Sequence, residues 1–251
     1  MNLDNVIAER ARKTVYRDGQ NTIKLFEEKY PTSNVLNEAL NQARVEENTD
    51  INIPNLVEVC KVDNRWALVS EYIEGTPLDR LIAEHPENED EYLNLFVDTQ
   101  LNILSKNVPM LNRLKEKYKR KIDEEQSIDY NTKYELLQRL EGYANHSKVC
   151  HGDYNPSNVI VKEDGSVAIL DWAHVTKGNA SADIANTYLL FIIDGKENLA
   201  EKYVNLISEK SKISKSNIQR WIPIVAAVRL TYGNPNEEGL LRNFINVVDF
   251  G

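Results

Sequence analysis

The alternation of apolar and polar residues predicts a small β-sheet at the start of the chain. Short apolar segments lie at 6–8, 14–16 and 22–26, and the polar turn 18–21 separates the last two. Residues 56–62 and 66–72 predict a second hairpin with its turn at Asp63 and Asn64. Between these segments the apolar period changes to that of a helix over 31–47, at Val35, Leu36, Ala39, Leu40 and Ala43.

Helical spacing dominates the rest of the chain. Helices are predicted over 78–83, 92–104, 132–144, 197–212, 214–232 and 237–248. A further amphipathic segment, 106–122, is strongly basic, with Lys106, Arg113, Lys115, Lys117, Lys119, Arg120 and Lys121. Such a segment suits a phosphate or an acidic partner, or is simply a helix packed on one side with its charges in solvent.

One polar loop interrupts this helical region and carries the candidate chemistry. His151, Asp153 and Asn158 lie in a loop that leads into the apolar run 159–161, and a second apolar run, 167–170, ends at Asp171. Singly, these residue types are common in ordinary turns. Together, their spacing is typical of phosphoryl transfer to a hydroxyl, with Asp153 as the base and with Asn158 and Asp171 holding Mg²⁺.

These residues resemble one enzyme superfamily. The segments His151-Gly152-Asp153, Asn158 and Asp171-Trp172 are similar to those of the aminoglycoside phosphotransferase and choline kinase superfamily of small-molecule kinases. The resemblance implies an α+β, protein-kinase-like two-lobed fold with a small antiparallel-sheet N-lobe containing one helix and a mainly helical C-lobe. The N-lobe would be 1–74 with a hinge at 70–75, and the C-lobe would be 75–251 with the catalytic loop 151–158.

The resemblance also implies a nucleotide-binding set in the first lobe. Lys24 would bind the α- and β-phosphates and Glu38 would orient it, while backbone groups at Glu71 and Ile73 would bind adenine. From the sequence pattern alone, Lys24 could equally face solvent from an edge strand, and Glu38 could lie on a solvated helix face. Asp183 resembles a structural acid of the superfamily that braces the catalytic loop.

The segment 9–14 departs from the superfamily pattern because it contains no glycine. Backbone amides approach phosphate less closely without glycine, so side chains of Arg10, Arg12, Lys13 or Thr14 would have to supply the contact. Weak nucleotide binding is the other interpretation. This segment is where the resemblance is least complete.

Size and charge bound the remaining possibilities. The chain has 251 residues and a net charge of -9, which argues against a general nucleic-acid or membrane-surface binder. An acidic chain suits a cationic small molecule, although acidity also serves solubility. Cys60 and Cys150 lack the spacing of metal sites and predict buried thiols in a reducing compartment. No signal peptide or membrane-spanning run is visible, so the expected location is cytoplasmic.

The sequence thus predicts a phosphotransferase that moves the γ-phosphoryl of ATP, or alternatively GTP, to a hydroxyl of a small molecule with Mg²⁺. The alternatives are a choline, ethanolamine, sugar or amino-alcohol kinase, a protein kinase, a nucleotide-binding regulatory protein with little catalysis, and a scaffold. Aminoglycosides are the namesake acceptors of the superfamily, which adds antibiotic resistance as a candidate role. The acceptor and the oligomeric state stay open.

Overall fold

The computed structural model describes residues 1–10 and 12–245. Within them the chain forms two compact units, one of residues 1–10, 12–88 and 156–174 and the other of residues 89–155 and 175–245. The boundary between the predicted lobes, 1–74 and 75–251, differs from the boundaries of these units. The lobes remain a prediction. Two predicted features, Ala11 of the glycine-free segment and residues 246–248 of the last helix, lie outside the described residues.

In the described residues, the strands form three antiparallel sheets. They are β1 (Val6–Arg10), β2 (Lys13–Asp18), β3 (Asn21–Phe26), β4 (Leu56–Val62), β5 (Arg65–Glu71), β6 (Thr76–Pro77), β7 (Lys148–Cys150), β8 (Val159–Val161), β9 (Val167–Ile169) and β10 (Thr176–Gly178). The first sheet has the order β1-β2-β3-β5-β4, and the others are β6-β8-β9 and β10-β7. The first two sheets belong to the first unit.

The helices account for most of the second unit. They are α1 (Thr32–Asn48), α2 (Leu78–Glu84), α3 (Glu89–Ser105), α4 (Leu114–Glu124), α5 (Tyr130–Gly142), α6 (Ala180–Ile193), α7 (Glu197–Ser211), α8 (Lys215–Gln219), α9 (Ile222–Leu230) and α10 (Pro235–Ile245). Of these helices in the described part of the chain, only α1 and α2 lie in the first unit. The predicted α+β architecture, an antiparallel sheet with one helix followed by a mainly helical part, is confirmed.

Side-chain alternation in β3 explains the core of the first unit. Ile23 and Leu25 point to one face of the sheet, where they pack with residues of β5. Phe26 points to the other face and packs against Val35 and Ala39 of α1. Because side chains alternate along a strand, Lys24 lies on the same face as Phe26, toward α1. The alternation that builds the core therefore also directs the Lys24 side chain toward α1.

Two predicted helices differ from the structure. The basic segment 106–122 becomes helical only from Leu114, because the preceding residues form a turn whose Asn112 carbonyl accepts the Lys177 N–H over 2.9 Å. The predicted helix 214–232 is two helices, α8 and α9, and Pro223 lies in the first turn of the second. Proline lacks an N–H, so it is favoured where a helix begins and disfavoured within one.

The helices do not include a candidate membrane span: in residues 1–10 and 12–245, none is long and apolar enough to cross a bilayer.

Candidate active site

A hairpin of the first unit brings the two predicted metal ligands to one end. Val159 of β8 pairs with Ile169 of β9, and the Leu170 N–H donates to the Asn158 carbonyl over 2.8 Å. Asn158 therefore lies just before one strand of the hairpin, and Asp171 lies just after the other. The sequence separates these two residues, and the antiparallel pairing brings their backbones together.

Asp171 has an unusual backbone conformation. Its φ is +59°, in the left-handed region that few residues other than glycine adopt, although Asp and Asn tolerate it better than most. The next residue, the buried Trp172, donates its indole N–H to the Ile169 carbonyl over 3.0 Å and fixes the turn. Strain of this kind costs on the order of 1 kcal/mol and is found preferentially at functional sites.

Lys24 lies between two carboxylates. Its Nζ is 2.7 Å from Oε1 of Glu38 on α1 and 3.1 Å from Oδ1 of Asp171. Glu38 is only 4% exposed, so it is a buried acid and not part of a solvated helix face. All three residues belong to the first unit. The structure thus brings together a strand lysine, a helix glutamate and the aspartate at the end of the hairpin.

A second lysine joins this group. Nζ of Lys13, on β2, is 3.2 Å from Oδ2 of Asp171 and 3.9 Å from Oε1 of Glu38. We call Lys13, Lys24, Glu38 and Asp171 the lysine-carboxylate cluster. Its two ammonium groups and two carboxylates balance in charge.

The cluster shifts the proton affinity of its members. Burial alone would lower the pKa of Lys24, but the Asp171 and Glu38 carboxylates reverse this effect, and the pKa lies above its ordinary value. Burial alone would raise the pKa of Asp171, but Lys24, Lys13 and His174 hold it well below its ordinary value. Both Lys24 and Asp171 are therefore charged at neutral pH.

The other cations of the glycine-free segment point elsewhere. Arg12 pairs with Glu27 at 2.5 Å and lies 4.9 Å from the ring centre of Tyr30. Arg10 donates to the Glu9 carbonyl over 3.0 Å. Of the three basic side chains proposed from the sequence as replacements for glycine, Lys13 alone reaches the lysine-carboxylate cluster.

The predicted hinge follows β5 and packs tightly. The Glu71 N–H is already bound to the Asn55 carbonyl at 2.9 Å, and the Glu71 carboxylate accepts from the Asn55 amide at 2.8 Å. Ile73 is 8% exposed, and its N–H has no hydrogen-bond partner among the described residues. Gly75 has a φ of +150°, and a Cβ there would lie 2.5 Å from the Val161 carbonyl oxygen. Only glycine fits this approach of the hinge to β8.

The loop that carries Asp153 belongs to the second unit. The Asp153 N–H donates to Nδ1 of the buried His151 over 3.2 Å. Since Nδ1 accepts this hydrogen bond, a neutral His151 carries its proton on Nε2. Gly152 has a φ of +80°, which favours glycine. His151 therefore shapes the turn that presents Asp153.

Asp183 of α6 braces this loop. Its Oδ1 accepts the Gly152 N–H over 2.8 Å, and its Oδ2 accepts from Gln100 of α3 over 3.1 Å. The Tyr203 hydroxyl in turn donates to Gln100 Oε1 over 2.5 Å. Burial raises the pKa of Asp183, although the Gly152 N–H, His151 and Gln100 oppose that effect. Sequence reasoning identified Asp183 by resemblance but missed Gln100 and Tyr203, which show only ordinary helical spacing.

The arrangement defines a class. A strand lysine held by a helix glutamate, together with an asparagine and an aspartate at the same end of one hairpin, is typical of phosphoryl-transfer proteins. The sequence model of the phosphotransferase enzyme family matches residues 25–208. The chain belongs to this family, and the predicted resemblance is confirmed at that level.

Solved structures with the same fold include aminoglycoside phosphotransferases. One is a thermostable mutant of APH(4)-Ia in complex with AMP-PNP and hygromycin B, with 11% identity, a TM-score of 0.73, and 96% of this chain and 90% of that chain covered. Another is APH(3'')-Id from Streptomyces rimosus with ADP and streptomycin, with 17% identity, a TM-score of 0.62, and 86% and 90% covered. These likenesses show a shared protein-kinase-like fold. No protein with a curated description matches the chain in sequence.

Proposed function

We propose that this chain transfers the γ-phosphoryl group of ATP to a hydroxyl of a small molecule. The observation that carries the proposal is the position of Lys24, 2.7 Å from Glu38 and 3.1 Å from Asp171. A lysine fixed in this way presents its charge to the α- and β-phosphates of a nucleotide.

Lys13 adds a second cation for the phosphates. Because segment 9–14 has no glycine, its backbone cannot approach phosphate as closely as a glycine-rich loop would. The Lys13 ammonium lies in the same cluster as Lys24 and supplies that charge from a side chain. At the hinge, the Glu71 carbonyl and the Ile73 N–H would bind adenine.

Asn158 and Asp171 would hold Mg²⁺. One amide oxygen and one ionised carboxylate fit a hard cation that takes few protein ligands and several waters or phosphate oxygens. In the described residues, no group of three His, Cys, Asp or Glu side chains could hold a metal, so a cage made only of such side chains is not present there. The ion, when bound, neutralises the charge that develops on the phosphates.

Asp153 would act as the base. Its carboxylate accepts a hydrogen bond from the acceptor hydroxyl and takes the proton as the hydroxyl oxygen bonds to the γ-phosphorus. The bond from that phosphorus to the bridging oxygen breaks, and ADP leaves with the electron pair. Most of the rate enhancement would come from positioning and from charge stabilisation.

The proposal is tested by release of ADP from ATP in the presence of a fractionated metabolite extract, with calorimetry of Mg²⁺·AMP-PNP binding alongside. Turnover that depends on an acceptor supports it, and failure to bind any nucleotide contradicts it. Competition by GTP decides the donor. Tight nucleotide binding without turnover on any fraction would instead favour a regulatory protein, the alternative suggested by the glycine-free segment.

A cytoplasmic location is part of the proposal. Cys60 and Cys150 are both free thiols, as expected in a reducing compartment.

A further inference from the structure

The two lysines of the lysine-carboxylate cluster divide its acids between them. Lys24 Nζ lies closest to Glu38, at 2.7 Å, and also reaches Oδ1 of Asp171 at 3.1 Å. Lys13 Nζ lies closest to Asp171, at 3.2 Å from Oδ2, and is 3.9 Å from Glu38. Glu38 is therefore the main partner of Lys24, and Asp171 is the main partner of Lys13.

Each carboxylate oxygen of Asp171 thus accepts a hydrogen bond from an ammonium group. Oδ1 accepts from Lys24 and Oδ2 accepts from Lys13. Asp171 is also the carboxylate that we propose as a ligand of Mg²⁺, so the ion would use the same oxygens. A divalent cation beside an ammonium group on one carboxylate is strongly repelled, because like charges at such short range are poorly screened in a partly buried site. The two lysines therefore compete with a divalent ion for Asp171.

Lys13 is the competitor that can leave. Its second carboxylate, Glu38, lies 3.9 Å away, which is beyond hydrogen-bonding distance, whereas Lys24 remains bound to Glu38 at 2.7 Å. The side chains of Lys13 and Asp171 are 20% and 25% exposed, so an incoming ligand can reach this pair. Lys13 can therefore exchange Asp171 for another anion while the pair of Lys24 and Glu38 stays intact.

The phosphates of a nucleotide supply such an anion. They carry several negative charges, and an ammonium group donates several hydrogen bonds, so Lys13 can turn from Asp171 to phosphate oxygens. Oδ2 of Asp171 is then open to the divalent ion, which the phosphates also attract. Nucleotide and ion thus favour each other, and by thermodynamic linkage each raises the affinity for the other by the same factor.

We propose that Lys13 makes binding of the divalent ion depend on the nucleotide. In the free protein Lys13 holds Asp171 closed to the ion, and it opens this site by moving to the phosphates. This inference rests on the proposed function and specifies how its metal site is controlled. Lys13, Lys24, Glu38 and Asp171 all belong to the first unit.

The test measures ion binding without turnover. Mn²⁺ takes the same oxygen ligands as Mg²⁺, and electron paramagnetic resonance measures its unbound fraction. In nucleotide-free protein, Lys13→Met should bind Mn²⁺ about tenfold more tightly than the parent, because one of the two competing cations is gone. The same variant should bind metal-free AMP-PNP in EDTA about threefold to tenfold more weakly, because the phosphates lose a cation. A general folding defect would weaken both affinities, so the opposite signs identify competition.

Three further variants control the result. Arg12→Met removes the same charge one position away, from a side chain that pairs with Glu27, and should leave both affinities within about twofold of the parent. Lys13→Arg keeps the charge and should keep the Mn²⁺ affinity near the parent value. Asp171→Asn added to Lys13→Met should abolish the gain in Mn²⁺ affinity, which would place the ion at this carboxylate.

The outcomes separate this inference from the proposed function. Equal Mn²⁺ affinity in the parent and Lys13→Met, or no measurable Mn²⁺ binding by either, overturns the inference and leaves the proposed phosphoryl transfer unaffected. A gain in Mn²⁺ affinity that persists with Asp171→Asn overturns it as well, because the ion would then bind elsewhere. Failure of the parent to bind any nucleotide contradicts the proposed function, and the inference fails with it.

Discussion

Lys24 and Asp171 are 147 positions apart in the sequence, and their charged groups lie 3.1 Å from each other. Lys24 lies on β3, the central strand of the first sheet, and Asp171 lies at the end of the β8–β9 hairpin in the same unit. Glu38 and Lys13 complete a cluster of balanced charge around this pair. The two lysines that we propose to bind phosphate are therefore held by carboxylates of the chain, and the first two predictions below depend on this relationship.

Replacement of Lys24 should weaken nucleotide binding. Lys24→Met removes the cation that Glu38 orients, and we expect the dissociation constant for Mg²⁺·AMP-PNP to rise about tenfold to a hundredfold, since a charged hydrogen bond contributes roughly 1.5–3 kcal/mol. Calorimetry measures the effect. The exposed Lys29, just beyond the same strand, provides the control variant Lys29→Met. Equal affinity in both variants would contradict the role of Lys24.

Lys13 and Lys24 should act together. Lys13→Met alone leaves Lys24 paired with both carboxylates, so we expect a smaller loss of nucleotide affinity, about threefold to tenfold. In the double variant, Glu38 and Asp171 lose both cations, and the loss should differ from the sum of the single effects by more than roughly 0.5 kcal/mol. A strictly additive double-mutant cycle would show that the two lysines work independently.

Asp183 should support the catalytic loop by accepting hydrogen bonds. In Asp183→Asn the amide oxygen can still accept from Gly152, but the new NH₂ group faces the Gln100 NH₂, whose own oxygen is occupied by Tyr203. One buried donor is then unsatisfied, which should lower the free energy of unfolding by about 1–3 kcal/mol. Urea titration measures this loss of stability. We also expect kcat to fall by a larger factor than the affinity for the nucleotide. A variant with unchanged stability and activity would rule out this bracing.

Lys117 should make the stability of the protein depend on pH. Its pKa is lowered from 10.5 to about 7, so between these values the unfolded chain binds a proton at Lys117 that the folded chain does not. The free energy of unfolding therefore rises with pH in this range. Lys117→Met removes that contribution. We expect it to stabilise the protein by on the order of 1 kcal/mol after screening at pH 7 and below, with a smaller gain at pH 9. Parallel profiles for the two proteins would contradict the shift.

The sequence predicted what depends on local pattern. The loop around Asp153 and the apolar run before Asp171 are contiguous, so their spacing was visible. The turn at Asp63 and Asn64 was visible for the same reason, and both residues have positive φ in the structure.

The sequence did not predict what depends on contacts between distant segments. Gln100 and Tyr203 support Asp183 through side chains from α3 and α7, and neither has a distinctive neighbourhood in the sequence. Lys13 was one of several basic residues of segment 9–14, and only the pairing of β2 with β3 and the position of Asp171 single it out. The left-handed conformation of Asp171 likewise has no sequence signal of its own.

The central claim is that Asp153 accepts the proton of the attacking hydroxyl. Asp153→Asn keeps the size of the side chain and removes its basicity, and it leaves the lysine-carboxylate cluster unchanged. The direct measurement is acceptor-dependent formation of labelled product from γ-labelled ATP by this variant, with Mg²⁺·AMP-PNP affinity determined on the same preparation. We expect product formation to fall by at least about a hundredfold while affinity stays within about threefold of the parent. Turnover at the parent rate would contradict the account.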